Sequence, residues 1–242
     1  MKYTDKHTVM SQFTDKNGIL KVGAMLRYMQ EAAANCMRAD GKSYDELAGA
    51  GYAFVISKIN LSIYSDVYSR DEIEVETWTQ PSSRYSYPRY YRITRGGQIV
   101  AEASSVWALV DTGRGRLVRS GEIELDYRTD EPLELDLRAR IDIPEQSMSL
   151  VGEREVRYTD VDRNGHMNNT VYADMICDYV FRSDREANDR ERVRSMEISF
   201  ISEAPFGDTL KVYLCRDGDT CYLRTLRGDS KTNIEAQIVC EK

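Results

Sequence analysis

A short pattern occurs twice in this chain, and it constrains the fold more than any other feature. Asp15-Lys16-Asn17-Gly18 returns as Asp162-Arg163-Asn164-Gly165, 147 residues on (17 to 164). Each copy leads into a stretch with helical spacing. In the first, Val22, Met25, Leu26, Met29 and Ala33 make an apolar stripe; in the second, Val171, Tyr172, Met175, Ile176 and Tyr179 do so. A second match follows at an offset of 137: Lys58 to Val75 resembles Ser195 to Val212, with Ser62 against Ser199, Asp66 against Glu203, Asp71 against Asp208, Ile73 against Leu210 and Val75 against Val212. Two matched segments in one order predict a duplicated unit.

After each helix the pattern becomes β-like. Ile73 to Trp78 alternates, Tyr87 to Thr94 is rich in aromatics, and Arg95-Gly96-Gly97-Gln98 predicts a hairpin turn before Ile99 to Val110. In the second copy Leu210 to Cys215 and Cys221 to Leu226 flank a turn at Asp217-Gly218. Each half is therefore expected to be α+β, one long helix followed by antiparallel strands, with the helical stripe buried on a curved sheet. The charged stretch Tyr127 to Gln146, with Pro132 and Pro144, predicts a connection between the halves.

The copies are chemically unequal. His166 stands where the first copy has Ile19, and Glu203 where it has Asp66. Only the second copy has a histidine to work with, so one active site per chain is expected. Asp162, Asn164 and His166 alternate, which on an extended segment places their side chains on one side. A helix start just beyond them offers unpaired N–H groups and partial positive charge, suited to an anion or a polarised carbonyl. Asn168 and Asn169 also read as helix caps.

Composition limits the function classes. A net charge of −7 argues against nucleic acid as the main partner. No apolar run approaches the ~20 residues of a membrane helix, and the start of the chain lacks a secretory pattern. Cys36, Cys177, Cys215, Cys221 and Cys240 are scattered and form no CxxC pair, so no zinc or other metal site is expected. Reduced thiols in the cytoplasm fit them best.

With these residues in hand, the chain resembles the acyl-acyl carrier protein thioesterases of the plant and bacterial type. Asp162-x-Asn164-x-His166-x-Asn168-Asn169 resembles that family's catalytic motif. Ile198 to Glu203, followed by Gly207-Asp208, is similar to the strand bearing its catalytic carboxylate. Val55 to Lys58 and Ser104 to Trp107 also look like family segments, so the similarity runs over roughly Thr8 to Ala236. Plant members carry a Cys after the carboxylate; here Ala204 stands there, which excludes a cysteine nucleophile on this strand.

The resemblance implies tandem hotdog folds: an N-terminal unit over 1–128, a linker over 129–146 and a catalytic unit over 147–242. It implies hydrolysis of fatty acyl-acyl carrier protein by activated water, without a cofactor. Glu203 is the expected general base, with direct attack by its carboxylate as the lesser variant. Burial beside an acyl chain is expected to raise its pKa. His166 would orient the water or bond Glu203, Asn164 would help hold the oxyanion, and Asp162 would orient Asn164 or His166. Met25, Leu26, Met29 and Asn168 are the candidate substrate-binding residues. The partner is a carrier protein bearing a phosphopantetheine-linked acyl chain. Being acidic, it would need a basic patch, either Arg84, Arg89, Arg92 and Arg95 or Arg182, Arg185, Arg190, Arg192 and Arg194. A coenzyme A thioesterase, a non-catalytic acyl-binding protein and an enoyl hydratase remain as alternatives, and a homodimer is left open beside a monomer.

Overall fold

The computed structural model describes residues 2–123, 125, 128–135, 137–138, 140–181 and 191–241. The chain divides into two compact units, Met1–Leu137 and Arg138–Lys242. The first contains β1 (Tyr3–Thr8), α1 (Val22–Ala39), α2 (Tyr44–Gly49), β2 (Tyr52–Ile63), β3 (Glu72–Thr79), β4 (Tyr87–Arg95), β5 (Gln98–Asp111) and the short β6 (Arg116–Leu117). The second contains β7 (Ser149–Glu155), α3 (Asn169–Val180), β8 (Arg192–Phe200), β9 (Thr209–Asp217), β10 (Thr220–Leu226) and β11 (Thr232–Glu241).

The duplication is structural. In the first unit the strands run β1-β3-β4-β5-β2 across an antiparallel sheet; in the second they run β7-β9-β10-β11-β8. Replacing each strand by its equivalent converts one order into the other. The α+β reading holds, with one correction. Each unit opens on a strand before its helix, which the pattern did not predict. β1 and β7 are sheet edges of mostly polar residues, Tyr3 to Thr8 showing alternate exposure and Ser149 to Val151 none buried. An edge strand has little apolar alternation to show.

The first long helix buries the whole predicted stripe and α3 its centre, with Val171 and Tyr179 only half-buried. On α1, Val22, Met25, Leu26, Met29 and Ala33 are all buried; on α3, Tyr172, Met175 and Ile176 are. Tyr28 of α1 packs on His7 of β1, ring centroids 4.8 Å apart, so the second histidine of the chain is a packing residue. Tyr172 meets Phe200 of β8 edge to face at 5.8 Å. The hairpin between β4 and β5 turns on Gly96 and Gly97 at φ 57 and 80, as the two-residue turn requires of both. α2 carries a full capping box, Ser43 with Glu46.

Residues of the expected linker are tied to their own units. In the first unit Trp78 donates its indole N–H to the Glu131 carbonyl at 2.8 Å, and Ser104 donates to Leu135 at 3.0 Å. In the second, Ile141 is fully buried and Glu145 pairs with Arg224 at 2.6 Å.

Candidate active site

The segment before α3 is a tight turn and not the extended run its alternation suggested. Tyr158–Asp160 forms a single 3-10 turn. Val161 then bridges Met167, the Asp162 N–H donates to the His166 carbonyl at 3.0 Å, and the Gly165 N–H donates to the Asp162 carbonyl at 3.0 Å. The Asp162 carboxylate accepts the Asn164 N–H at 2.8 Å. Gly165 sits at φ 83, a left-handed position where any side chain would be strained. The first copy repeats these bonds. Asp15 N–H to Ile19 is 2.8 Å, Gly18 N–H to Asp15 is 3.0 Å, Asn17 N–H to the Asp15 carboxylate is 2.8 Å, and Gly18 has φ 76. The Asp-x-Asn-Gly pattern is thus a turn that both units need for shape. Its repetition without a histidine in the first unit shows that Asp162 is engaged in holding the backbone.

The turn carries His166 to the loop after β8. His166 bridges Pro205, and the Met167 N–H donates to Ala204 at 2.9 Å. In the first unit Ile19 bridges Tyr68, and the Leu20 N–H donates to Val67 at 2.8 Å. Through this joint the His166 Nε2 comes within 3.1 Å of the Glu203 Oε2. Two residues far apart in sequence thus form one acid–base pair. Glu203 lies past the end of β8, which stops at Phe200, and not on the strand. The expected burial is not found: the Glu203 side chain is 62 % exposed, that of His166 35 %.

Asn168 is the N-cap of α3. Its Oδ1 accepts the Thr170 N–H at 2.9 Å and the Thr170 hydroxyl at 2.8 Å. The Val171 N–H goes to the Asn168 carbonyl at 2.9 Å. Two of the N–H groups expected to face a substrate are therefore occupied. Asn168→Ala is expected to lower the stability of the second unit by about 1 kcal/mol, read from urea unfolding. Asn164 is exposed at the tip of the turn. Met25, Leu26 and Met29 lie in the first unit's core at 1 %, 5 % and 1 % exposure.

Sequence reasoning overlooked Asp160. It is 8 % exposed. Its carboxylate accepts from Arg154 Nη2 at 2.7 Å and from the Arg157 N–H at 2.9 Å, and its carbonyl accepts the Asn168 N–H at 2.8 Å. It thereby clamps the base of the turn. The repeat contained the signal, because the equivalent residue of the first copy is Phe13, whose carbonyl accepts the Lys21 N–H at 3.0 Å.

No cysteine stands beside the pair. Burial pushes the Cys177 thiol up to about 12 and, chiefly, the Tyr172 phenol up to about 12, so both stay protonated at neutral pH. All five cysteines are free. No group of three or more metal-ligating side chains occurs among the described residues. The arginine cluster of the first unit is not a simple basic patch. Arg89 is buried, Arg92 pairs with Glu102 at 2.6 Å and Arg95 with Asp71 at 2.7 Å. Arg194 pairs with Glu241 at 2.8 Å, while Arg182, Arg185 and Arg190 lie outside the described residues. No described helix is long and apolar enough to cross a membrane.

A duplicated helix-on-sheet unit with one histidine–carboxylate pair in the second copy fits a class of hotdog enzymes that act on acyl thioesters. The chain belongs to the acyl-ACP thioesterase family: residues 1–125 match the model of its N-terminal domain and residues 144–239 that of its C-terminal domain. Among curated relatives, a palmitoyl-acyl carrier protein thioesterase of the chloroplast from Cuphea hookeriana is 26 % identical over 172 residues, 65 % of this chain and 41 % of that protein. Its counterpart in Arabidopsis thaliana is 24 % identical over 197 residues, 75 % of this chain and 47 % of that protein. The chain thus spans less than half the length of these relatives. Among solved structures, an acyl-ACP thioesterase from Bacteroides thetaiotaomicron has a TM-score of 0.89 at 22 % identity, covering 99 % of this chain and 98 % of that one. The 12:0-ACP thioesterase from Umbellularia californica has a TM-score of 0.82 at 18 % identity, covering 99 % and 97 %. These likenesses establish the tandem hotdog fold.

Proposed function

We propose that the protein hydrolyses fatty acyl thioesters of acyl carrier protein, releasing the free fatty acid and the carrier's thiol. The observation that carries this reading is the 3.1 Å approach of His166 Nε2 to Glu203 Oε2. A base within reach of a water, held by a second polar group, is what thioester hydrolysis requires. Glu203 takes a proton from water as its oxygen attacks the carbonyl carbon. The carbon–sulfur bond breaks, and the thiolate leaves and is protonated. His166 fixes the carboxylate and the water, and Asn164, at the tip of the turn, donates toward the developing oxyanion. Asp162 keeps that turn in shape. We assign Met25, Leu26 and Met29 to the acyl chain and Asn168 to the support of the site. The five free thiols suit a reducing compartment such as the cytoplasm.

The test is thiol release from one acyl group presented on acyl carrier protein and on coenzyme A. The reading expects kcat/KM at least tenfold higher with the carrier protein. Equal or better turnover of the coenzyme A ester would move the assignment to that substrate, and no turnover of either would overturn it.

A further inference from the structure

The two most exposed large apolar side chains among the described residues stand together beside the His166–Glu203 pair. Tyr158 is 83 % exposed and Phe206 62 %, and their rings meet edge to face with centroids 6.5 Å apart. Exposed apolar residues scattered singly are ordinary; two adjoining rings left in water mark a surface with a partner. Phe206 follows Pro205, the residue that His166 bridges, and lies three residues past Glu203. Three residues of chain span about 10 Å at most.

The backbone frame under the rings is duplicated, but the rings are not. In the second unit the Asp208 N–H donates to the Pro205 carbonyl at 3.1 Å, the Gly207 N–H to Val156 at 2.9 Å and the Val156 N–H to Asp208 at 2.8 Å. These bonds tie the turn bearing Phe206 to the segment that enters Tyr158. In the first unit the Asp71 N–H donates to Tyr68 at 3.1 Å, the Arg70 N–H to Val9 at 2.9 Å and the Val9 N–H to Asp71 at 2.9 Å. Where the second copy has Tyr158 and Phe206, the first has Ser11 and Ser69. The frame therefore forms without aromatic side chains, and the rings occur only in the copy that carries His166 and Glu203.

We propose that Tyr158 and Phe206 form a platform for the pantetheine arm on the thiol side of the substrate, an assignment that rests on the thioesterase reading above. A thioester has two sides. The acyl side gains by leaving water, whereas the thiol side has to run out to the carrier protein in solvent. Exposed rings near the base meet the outgoing side. The arm has about 13 bonds from sulfur to phosphorus and extends about 15 Å, at the ~3.5 Å that three bonds of an extended peptide span. Within about 10 Å of Glu203 the rings thus face the arm and not the carrier's own surface. Up to its phosphate the arm is uncharged, with two amides and a pair of geminal methyls. Aromatic rings suit it, because they offer an apolar face and a polarised edge.

Calorimetric titration of the whole protein with S-octyl pantetheine, a thioether that cannot be hydrolysed, against 2-(octylthio)ethanol, which lacks the amides, tests the assignment. The pantetheine thioether is expected to bind tenfold or more tighter. Tyr158→Ser combined with Phe206→Ser, which restores the first copy's pattern, is expected to erase that preference and to keep the affinity for 2-(octylthio)ethanol within twofold. With octanoyl pantetheine as substrate, the same double variant is expected to raise KM tenfold or more while kcat stays within twofold. Equal affinity for the two thioethers in the wild type, a comparison that needs no variant to fold, would overturn the proposal. So would an undiminished preference in the double variant. A preference lost in the double variant of a protein that hydrolyses no thioester would refute the hydrolytic reading alone and uphold the platform.

Discussion

His166→Ala and Glu203→Ala are each expected to lower kcat for acyl-carrier-protein hydrolysis by about 10³-fold, near 4 kcal/mol of barrier. The reasoning is geometric. His166 Nε2 and Glu203 Oε2 are 3.1 Å apart, and in the proposed reaction both act on one water, so removing either should disable the same step. The double variant should therefore be hardly worse than the worse single one, as for residues that work as a unit. Both side chains are partly exposed, 35 % and 62 %, so neither change removes core packing. Thermal unfolding should stay within about 0.5 kcal/mol of wild type. Multiplicative losses in the double variant would mean that the two residues serve separate steps.

Asp160→Ala should produce the largest loss of stability in the second unit. The residue is buried and joins Arg154 Nη2 at 2.7 Å to the Arg157 N–H at 2.9 Å. Removing it strands the Arg154 charge and frees the turn. Breaking a buried pair costs about 3–5 kcal/mol. Because Arg154 keeps 23 % exposure, the low end, about 3 kcal/mol, is expected from urea unfolding. Arg154→Met in the same chain should recover part of the loss, since no unpaired charge then remains. Turnover should fall as well, because the turn that delivers His166 loses its clamp. A change below about 0.5 kcal/mol would mean that the ion pair is dispensable.

The repeat was legible because its chemistry is local. A glycine at φ 76 or 83 cannot be replaced without strain, and an aspartate two residues before an asparagine bonds its N–H, so both turns kept the same letters. Helical stripes were legible because burial repeats every three to four residues. β1 and β7 were not, since as edges they bury no residue fully and carry mostly polar side chains. The His166–Glu203 contact could be anticipated only through the family resemblance. It depends on the bridge from His166 to Pro205, a long-range pairing with no sequence period. Alternation at Asp162, Asn164 and His166 pointed wrongly to an extended run, because a tight turn can carry the same spacing. Asp160 was hidden because its partner Arg154 reaches it across a 3-10 turn. The charges of Arg92 and Arg95 read as a patch until their partners Glu102 and Asp71 came into view across the sheet and its loop.

The most direct test of Glu203 as the base is a single-turnover measurement with enzyme in excess over acyl carrier protein thioester, comparing wild type with Glu203→Gln. The amide keeps the size and polarity of the side chain but cannot take a proton at neutral pH. The predicted result is a rate constant for carbon–sulfur cleavage at least 100-fold lower, with the concentration dependence of binding unchanged. An unchanged cleavage rate in Glu203→Gln would contradict the assignment.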